Sequence, residues 1–377
     1  MPVESLLGIL RGDPASLNGV GAQEAMALAR RHAVLPLAAA AVAAAGDRAD
    51  PDLRREFAAA AVEVLQRNLA MTAELLALVA GLEARNIPAI PFKGPLLAEQ
   101  AYGSVAMRQF VDLDVLVERA GIDDASAMLE ERGFTPLIDL DAGRSLRLRA
   151  DGELGFRRAD GLTVELHWRV VPRTFALDLP TEELFARSVP ARLAGREVRS
   201  LSPEDLVLAL CAHGAKHQWE ELGMIADLHH LWVRGAALDV ALLLARARAA
   251  GAVRMLQLGC ALMAKYFDTP LPPELAGPVP RVDAMLEAVE RSLARPQTAQ
   301  SEPGGPVEWP FHISTRERAI DRVRYVARNF FMPTAKDWAV VRLPRRLAAL
   351  YYPIRLGRLA VRYAGRPLRR PRPVDNR

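Results

Sequence analysis

Through residue 85 the apolar positions recur every three or four residues, the spacing of one face of an α-helix. The longest such stretch runs from Asp52 to Arg85. It places Phe57, Ala61, Val64, Leu65, Asn68, Thr72, Leu75, Leu76 and Val79 on one stripe, and Asn86-Ile87-Pro88 ends it. The pattern then shortens to strand-length runs. Ile87 to Phe92 is apolar, Lys93-Gly94-Pro95 is a turn, and Pro95 suits the first position of a helix reaching Tyr102. Asp112 to Glu118, DLDVLVE, reads as a strand, followed by a helix from Asp123 to Arg132 that Gly133 terminates. Phe134 to Asp139 is a further strand. Glu153–Arg158 and Leu162–Val170 flank Asp160-Gly161, a pair tolerant of positive φ and suited to a tight hairpin.

Ser202 as N-cap and Pro203 at the first helical position open a helical region that continues to about residue 270. Arg295 to Pro310, rich in Pro, Gly and Ser, reads as an exposed linker or loop. The predicted class is α+β. A small mixed-sheet core of four or five strands (86–200) is flanked by N-terminal helices (1–85) and a helical domain (201–294). A linker and a C-terminal segment (295–377) complete the chain.

Composition narrows the function. The 377 residues allow two or three domains at ~150 residues each. Hydrophobic residues at 51% and charged residues at 25% exclude disorder, a disulfide miniprotein and a fibrous repeat. Cys211 and Cys260 cannot build a disulfide framework or a four-Cys zinc site, which points to a reducing compartment. Met1 to Gly12 lacks the basic-then-apolar pattern of a signal peptide. The alanine-rich run from Val34 to Gly46 is broken by Pro36 and falls short of the ~20 apolar residues of a membrane span. A cytoplasmic location is expected.

The chemistry concentrates on two strands. Side chains at i and i+2 share a strand face, so Asp112 and Asp114 project together while Leu113 and Val115 face the core. Two adjacent carboxylates are kept most readily where a cation bridges them, and hard ions such as Mg²⁺ prefer oxygen ligands. Glu165 and His167 share one face of a second strand. If that strand lies beside the first, Glu165 becomes a third carboxylate, and three suffice to hold two metals for in-line displacement at phosphorus. Lys93-Gly94 sits at a strand-to-helix turn, where backbone N–H groups favour a phosphate. Arg108, four residues before Asp112, is placed to neutralise more phosphate charge. The plain alternative is that this Asp-x-Asp pair is a solvated surface feature.

Lys93 to Val117, KGPLLAEQAYGSVAMRQFVDLDVLV, resembles the core of the bacterial uncharacterised nucleotidyltransferase family, part of the polymerase-β-like superfamily. The shared pattern is a Lys-Gly turn, a short helix ending in Tyr, an Arg, and Asp-x-Asp-x-Leu-Val. TVELHW (163–168), LSPEDL (201–206), HGAKHQW (213–219) and Asp227 are also similar, as is a C-terminal stretch with Asp337-Trp338, Leu343-Pro344 and Tyr351 to Arg355. The resemblance covers roughly residues 60 to 365. It implies a nucleotidyltransferase core at 86–200, with Asp112 and Asp114 binding Mg²⁺ (or Mn²⁺), Glu165 as third acid, and Lys93 and Gly94 contacting the phosphates of an NTP, ATP first among them. The superfamily's Gly-Ser pair is absent here, since Pro95 follows Lys93-Gly94. A related arrangement occurs in nucleotidyltransferase toxins of abortive-infection systems. Three alternatives stand beside the general reading: a transferase acting on tRNA or other RNA, a catalytically silent nucleotide-binding scaffold, and a tailoring enzyme that modifies a peptide or small metabolite.

Leu206, Leu210, His213 and His217 fall on one helical stripe with Lys216 beside it. The two histidines can be read as a metal pair with Asp227 or His229, as cleft residues near nucleotide or acceptor, or as packing. Lys216 is within reach of a phosphate, and His167 belongs with the nucleotide-binding candidates. The net charge of +4 splits unevenly, because Arg342 to Arg377 holds 11 arginines and Asp375 as its single acid. That basic segment, with Tyr351, Tyr352 and Tyr363, either binds RNA or an anionic surface or packs on the acidic body. The acceptor, whether small molecule, peptide or RNA, is not readable from the sequence.

Overall fold

The computed structural model describes residues 3–13, 16, 21–137, 152–234, 238–276, 282–295, 309–334, 337, 340, 341, 343 and 345–364. Four helices come first: α1 (Val3–Leu10), α2 (Ala22–Arg31), α3 (Leu35–Ala45) and α4 (Pro51–Glu83). Asp50 caps α4 by accepting from the N–H groups of Asp52 and Leu53, and Pro51 occupies the first position, where its missing donor costs nothing. The mixed region follows: β1 (Ala89–Pro91), α5 (Gly94–Tyr102), β2 (Asp112–Val117), α6 (Ile122–Glu131), β3 (Thr135–Pro136), β4 (Glu153–Arg157) and β5 (Thr163–His167).

Five strands form one sheet in the order β1-β2-β5-β4-β3. Only β2 and β5 are parallel, with Asp114 opposite Glu165; the other neighbours are antiparallel. The two acidic strands therefore lie side by side, the condition under which Glu165 joins the aspartates. The β4–β5 turn is one residue longer than the tightest hairpin. Arg158 N–H donates to Leu162 O and Gly161 N–H to Arg158 O, with Gly161 at φ +89°. The strand expected at Phe134–Asp139 begins as β3, and Ile138 and Asp139 lie outside the described residues.

A helix α7 (Thr181–Ala186) leads to a ribbon the sequence reading missed, β6 (Val189–Leu193) paired with β7 (Arg196–Ser200). Its turn is Ala194-Gly195, both at positive φ, the geometry a two-residue hairpin requires. Next come α8 (Pro203–Lys216), α9 (Leu222–Arg234), α10 (Val240–Ala250), α11 (Val253–Phe267) and α12 (Val282–Leu293). Ser202 caps α8 as expected. α13 (Trp309–Ser314), α14 (Ala319–Phe331) and α15 (Tyr351–Ala364) end the description. Most of the expected linker, 296–308, and the end of the basic segment, 365–377, lie outside it. Within that segment Arg355 and Arg358 turn inward to the buried Asp337, at 3.0 and 2.6 Å, so these two arginines pack on the body. No helix among the described residues is long and apolar enough to cross a membrane.

The sheet separates two apolar clusters. Leu113, Val115, Leu154, Phe156, Val164 and Leu166 pack with the C-terminal half of α4 (Met71, Leu75, Leu78, Leu82) and with α6. Each such side chain contributes about 1.5–3 kcal/mol by leaving water. The opposite sheet face is apolar only at Ile90 and Leu116, which join the larger helical cluster of α1–α4 and α8–α12. The rest of that face carries the acids. α4 spans both clusters, because its N-terminal half (Phe57, Ala60, Val64) packs in the larger one.

Midway along α4, the buried Asn68 donates from Nδ2 to Val105 O (2.7 Å) and Arg108 O (2.8 Å). It thereby fixes the segment that delivers Arg108 to the site. Asn68→Ala strands two carbonyls and should lower stability by about 1–3 kcal/mol in urea unfolding, with no change in helix content by circular dichroism.

Candidate functional site

The site forms where β1 ends, β2 and β5 run parallel, and α8 and α9 close over the sheet. Period-two alternation and the β2–β5 register put Asp112, Asp114, Glu165 and His167 on one face. Glu153, opposite His167 on β4, joins them. Lys93 occupies the N-cap position of α5 without a side-chain capping bond, and Gly94 takes φ +54°, a conformation that favours glycine. A Cβ on Gly94 would also lie 3.5 Å from Asp112 O, so the turn sits close against β2.

Asp114 is the centre. It is 3% exposed, and its Oδ1 accepts from Lys93 Nζ at 2.7 Å and from His167 Nε2 at 2.9 Å. Glu165 Oε2 lies 3.3 Å from the same His167 nitrogen and Glu153 Oε2 lies 3.5 Å from Nδ1, so His167 is ringed by carboxylates. A carboxylate only accepts, and Nε2 therefore carries a proton. Burial opposes every charge here, but the pairings win. Asp114 is held well below the usual carboxylate range by Lys93 and His167 despite its burial. Lys93 is raised by Asp114 against its own burial, and His167 rises to about 9 through Asp114 and Glu165. Asp112 moves the other way, upward, because burial and the Asp114 charge both disfavour its ionised form.

Asp114, Glu165 and His167 bring ligand atoms within 4.8 Å of one another. Asp112 shares their face but stands outside that group, and His167, assigned from sequence to the nucleotide, stands inside it. His213 and His217 do not form a metal site among the described residues. Asp227 is occupied, and His229 Nδ1 lies 2.7 Å from Thr269 Oγ1. α8 ends at Lys216, so His217 is its C-cap, with its ring 4.6 Å from that of His213. Gly214 lets the buried Trp219 ring fold back against the helix, where a Cβ would come within 2.5 Å of it. Lys216 Nζ lies 3.7 Å from Glu153 Oε2, on the far side of His167.

Arg108 does not point free into solvent. It forks onto Asp227, with Nε 3.0 and 2.9 Å and Nη2 2.9 Å from the carboxylate oxygens, and Tyr102 donates to Asp227 Oδ1 at 2.8 Å. Lys93, Arg108, Gln109, His213, Glu221 and Asp227 are among the residues lining a cavity of about 70 Å³ beside the acidic face. The sequence reading missed Glu153 and Glu221, which no local motif marks, and the Tyr102–Asp227–Arg108 cluster, in which Asp227 lies more than a hundred residues from the other two.

A model of uncharacterised nucleotidyltransferases matches residues 18–268 of the chain. The chain belongs to that family. The protein is thus an enzyme of the nucleotidyltransferase class, and the match takes in every candidate residue of the sheet face, α8 and α9. It starts earlier than the resemblance read from the sequence and does not reach the C-terminal stretch. No curated protein matches.

Among solved structures, the antibiotic-resistance factor ANT(2'')-Ia in solution shares 17% identity over 48% of this chain and 93% of its own, with TM-score 0.34. A crystal structure of ANT(2'')-Ia with adenylyl-2''-tobramycin gives 18%, 48%, 98% and 0.35. An antigenic nucleotidyltransferase-like protein from Paracoccidioides brasiliensis gives 14%, 58%, 92% and 0.33. All three TM-scores lie below 0.5, and the site stands on this chain's own geometry.

The raised His167 gives a pH signature in protein held free of divalent cations. Its folded-state value near 9 exceeds the unfolded ~6.5, so the stability it adds is complete below about pH 6.5 and fades as pH rises through 9. Thermal melts in chelator should lose roughly 1–3 kcal/mol across that window, and His167→Gln should flatten the loss.

Proposed function

We propose that this nucleotidyltransferase moves an NMP group from an NTP, ATP in the first instance, to an acceptor oxygen with release of pyrophosphate, using Mg²⁺ or Mn²⁺. The observation that carries this reading is the buried Asp114 carboxylate between Lys93 and His167, with Glu165 in register beside it and Asp112 on the same face. The donor set fits a divalent cation. Two carboxylates and an imidazole converge, the carboxylates suiting Mg²⁺ and Mn²⁺ alike, while the imidazole nitrogen favours the softer Mn²⁺. Asp114, Glu165 and His167, the last after giving up its Nε2 proton, would hold the ion, with Asp112 available to a second. When bound, it would neutralise phosphate charge and lower the pKa of the acceptor hydroxyl.

The chain's own residues supply the rest. Lys93, once released from Asp114, turns to the triphosphate at the N-terminus of α5, where backbone N–H groups also favour anions. Arg108 is a positioning residue: its guanidinium fixes Asp227 and Tyr102, joining α5 to α9 across the cleft. Glu165, about a third exposed and so open to an incoming acceptor, takes its proton with the carboxylate oxygen not engaged by the ion. The acceptor oxygen then bonds to the α-phosphorus as the bond to the β-phosphate bridging oxygen breaks, and pyrophosphate departs.

Incubation with α-labelled ATP, Mg²⁺ or Mn²⁺ and a cell extract should label an acceptor. Asp114→Ala or Asp112→Ala should cut the rate about 10²-fold or more, and label transfer that survives the double substitution would sink the site. Lys93→Ala should instead act mainly on nucleotide affinity, read as a raised KM for ATP.

A further inference from the structure

A helix on a protein surface ordinarily turns its apolar residues inward and its charged ones out. The two C-terminal helices do the reverse. On α15 the inward side carries Arg355 and Arg358, both bound to the buried Asp337. Its exposed positions are Tyr352, Pro353, Gly357, Ala360 and Val361, which hold no charge and fall within about half the circumference of the helix. Val361 is 81% exposed. On α14 the inward groups are again polar: Asp321 is buried, Arg322 donates to Arg316 O at 2.8 Å, and Asn329 donates to Thr174 O at 2.9 Å. The exposed positions of α14 include Ile320, Val323, Phe330 and Phe331, with Arg324 the one charge among them.

The two helices form one unit. Arg355 donates from Nε to Phe330 O at 3.0 Å, which ties the start of α15 to the end of α14. Tyr351 donates to Val341 O at 3.0 Å and accepts from Leu343 N–H at 2.9 Å, so the strip bearing the exposed Val340 and Val341 is fixed to α15. The turn Arg345–Leu350 adds the exposed Leu347 and Leu350. Ten of the sixteen large hydrophobic residues exposed among those described lie between Ile320 and Val361, so this exposure is concentrated and marks an interaction surface.

The charge of the unit selects the occupant. From Arg318 to Ala364 the sequence holds two acids, Asp321 and Asp337, and both are buried. Arg342 follows Val341, Arg345 and Arg346 precede Leu347, and five more arginines follow Ala364 with Asp375 as their single acid. A two-fold contact with a second copy would set these cations against themselves. RNA would answer the arginines and leave the aliphatic side chains in water. An anionic bilayer answers both, with headgroups for the guanidinium groups and the acyl boundary for Val361, Phe330 and their neighbours. We propose that the α14–α15 unit is a lipid-docking surface that seats the enzyme peripherally on a bilayer containing anionic lipid. This attachment is independent of the transfer chemistry at Asp114.

The test floats full-length protein with phosphatidylcholine vesicles, with and without about one third phosphatidylglycerol. Binding should be roughly tenfold or more tighter to the anionic vesicles and should weaken in ~1 M salt, where the Debye length is ~3 Å. Tyr352→Glu combined with Val361→Glu should weaken it by roughly tenfold or more, whereas Leu69→Glu, at an exposed apolar position on α4, should leave it unchanged. A polarity-sensitive dye on Val361→Cys gives a second reading should the double variant fold poorly, because Cys211 and Cys260 are buried. Its emission should shift to the blue on anionic vesicles and stay unchanged with poly(U) RNA. No binding to anionic vesicles, equal binding to neutral ones, or a dye that reports no change on them would overturn the proposal. A dimer or an RNA complex that the Tyr352 and Val361 substitutions dissolve would give the surface to a second copy or to RNA, and would overturn it equally.

Discussion

A single buried carboxylate organises this molecule. Asp114 sits at the one parallel junction of the sheet, almost wholly removed from water, and an unpaired charge there would cost several kcal/mol. Lys93 and His167 answer it at the same oxygen. The three residues come from the end of β1, the middle of β2 and the end of β5, so their mutual contact holds three strands and the start of α5 in one arrangement. Loss of any one leaves the others as uncompensated buried charges. The site's geometry and part of the sheet's stability are thus the same set of interactions.

A second ion pair ties this core to the helical half. Arg108 precedes β2 and is steered by Asn68 of α4, while Asp227 belongs to α9 and Tyr102 ends α5. The cluster bridges the strand region and the C-terminal helices at the edge of the cavity. A bidentate guanidinium–carboxylate pair fixes orientation as well as distance, which lysine at that position would not do. α4 adds covalent continuity, since one helix contributes side chains to both apolar clusters.

Much of this was legible in the sequence. The alternation in DLDVLV set two carboxylates on one face, TVELHW set Glu165 and His167 likewise, and the β2–β5 register brings the faces together. The Lys-Gly turn, the Ser202 cap and the long helix ending before Ile87 followed from local rules of capping and periodicity. What escaped is non-local or weakly marked. The Ala194-Gly195 turn lies between strands rich in charge, without the apolar alternation that announces a buried hairpin. The pairing of Arg108 with Asp227 spans 119 residues and leaves no local mark. Nor does anything local say that Asp114 and Glu165 close on His167 Nε2.

The charge inventory of the sheet face bears on how a nucleotide can enter. Asp112, Asp114, Glu153 and Glu165 face Lys93, Lys216 and a protonated His167, so the acids are nearly but not fully balanced. On the proposed reading, a triphosphate arriving alone would add several negative charges to a face whose cations are already engaged, Lys93 with Asp114 and Lys216 with Glu153. Arriving with divalent cations it would reverse that balance, because positive charge held at Asp114 would weaken its grip on Lys93 and leave the ammonium to the phosphates. Asp114 and Lys93 would then act as one exchange unit, and the small net charge of the whole chain conceals this local competition.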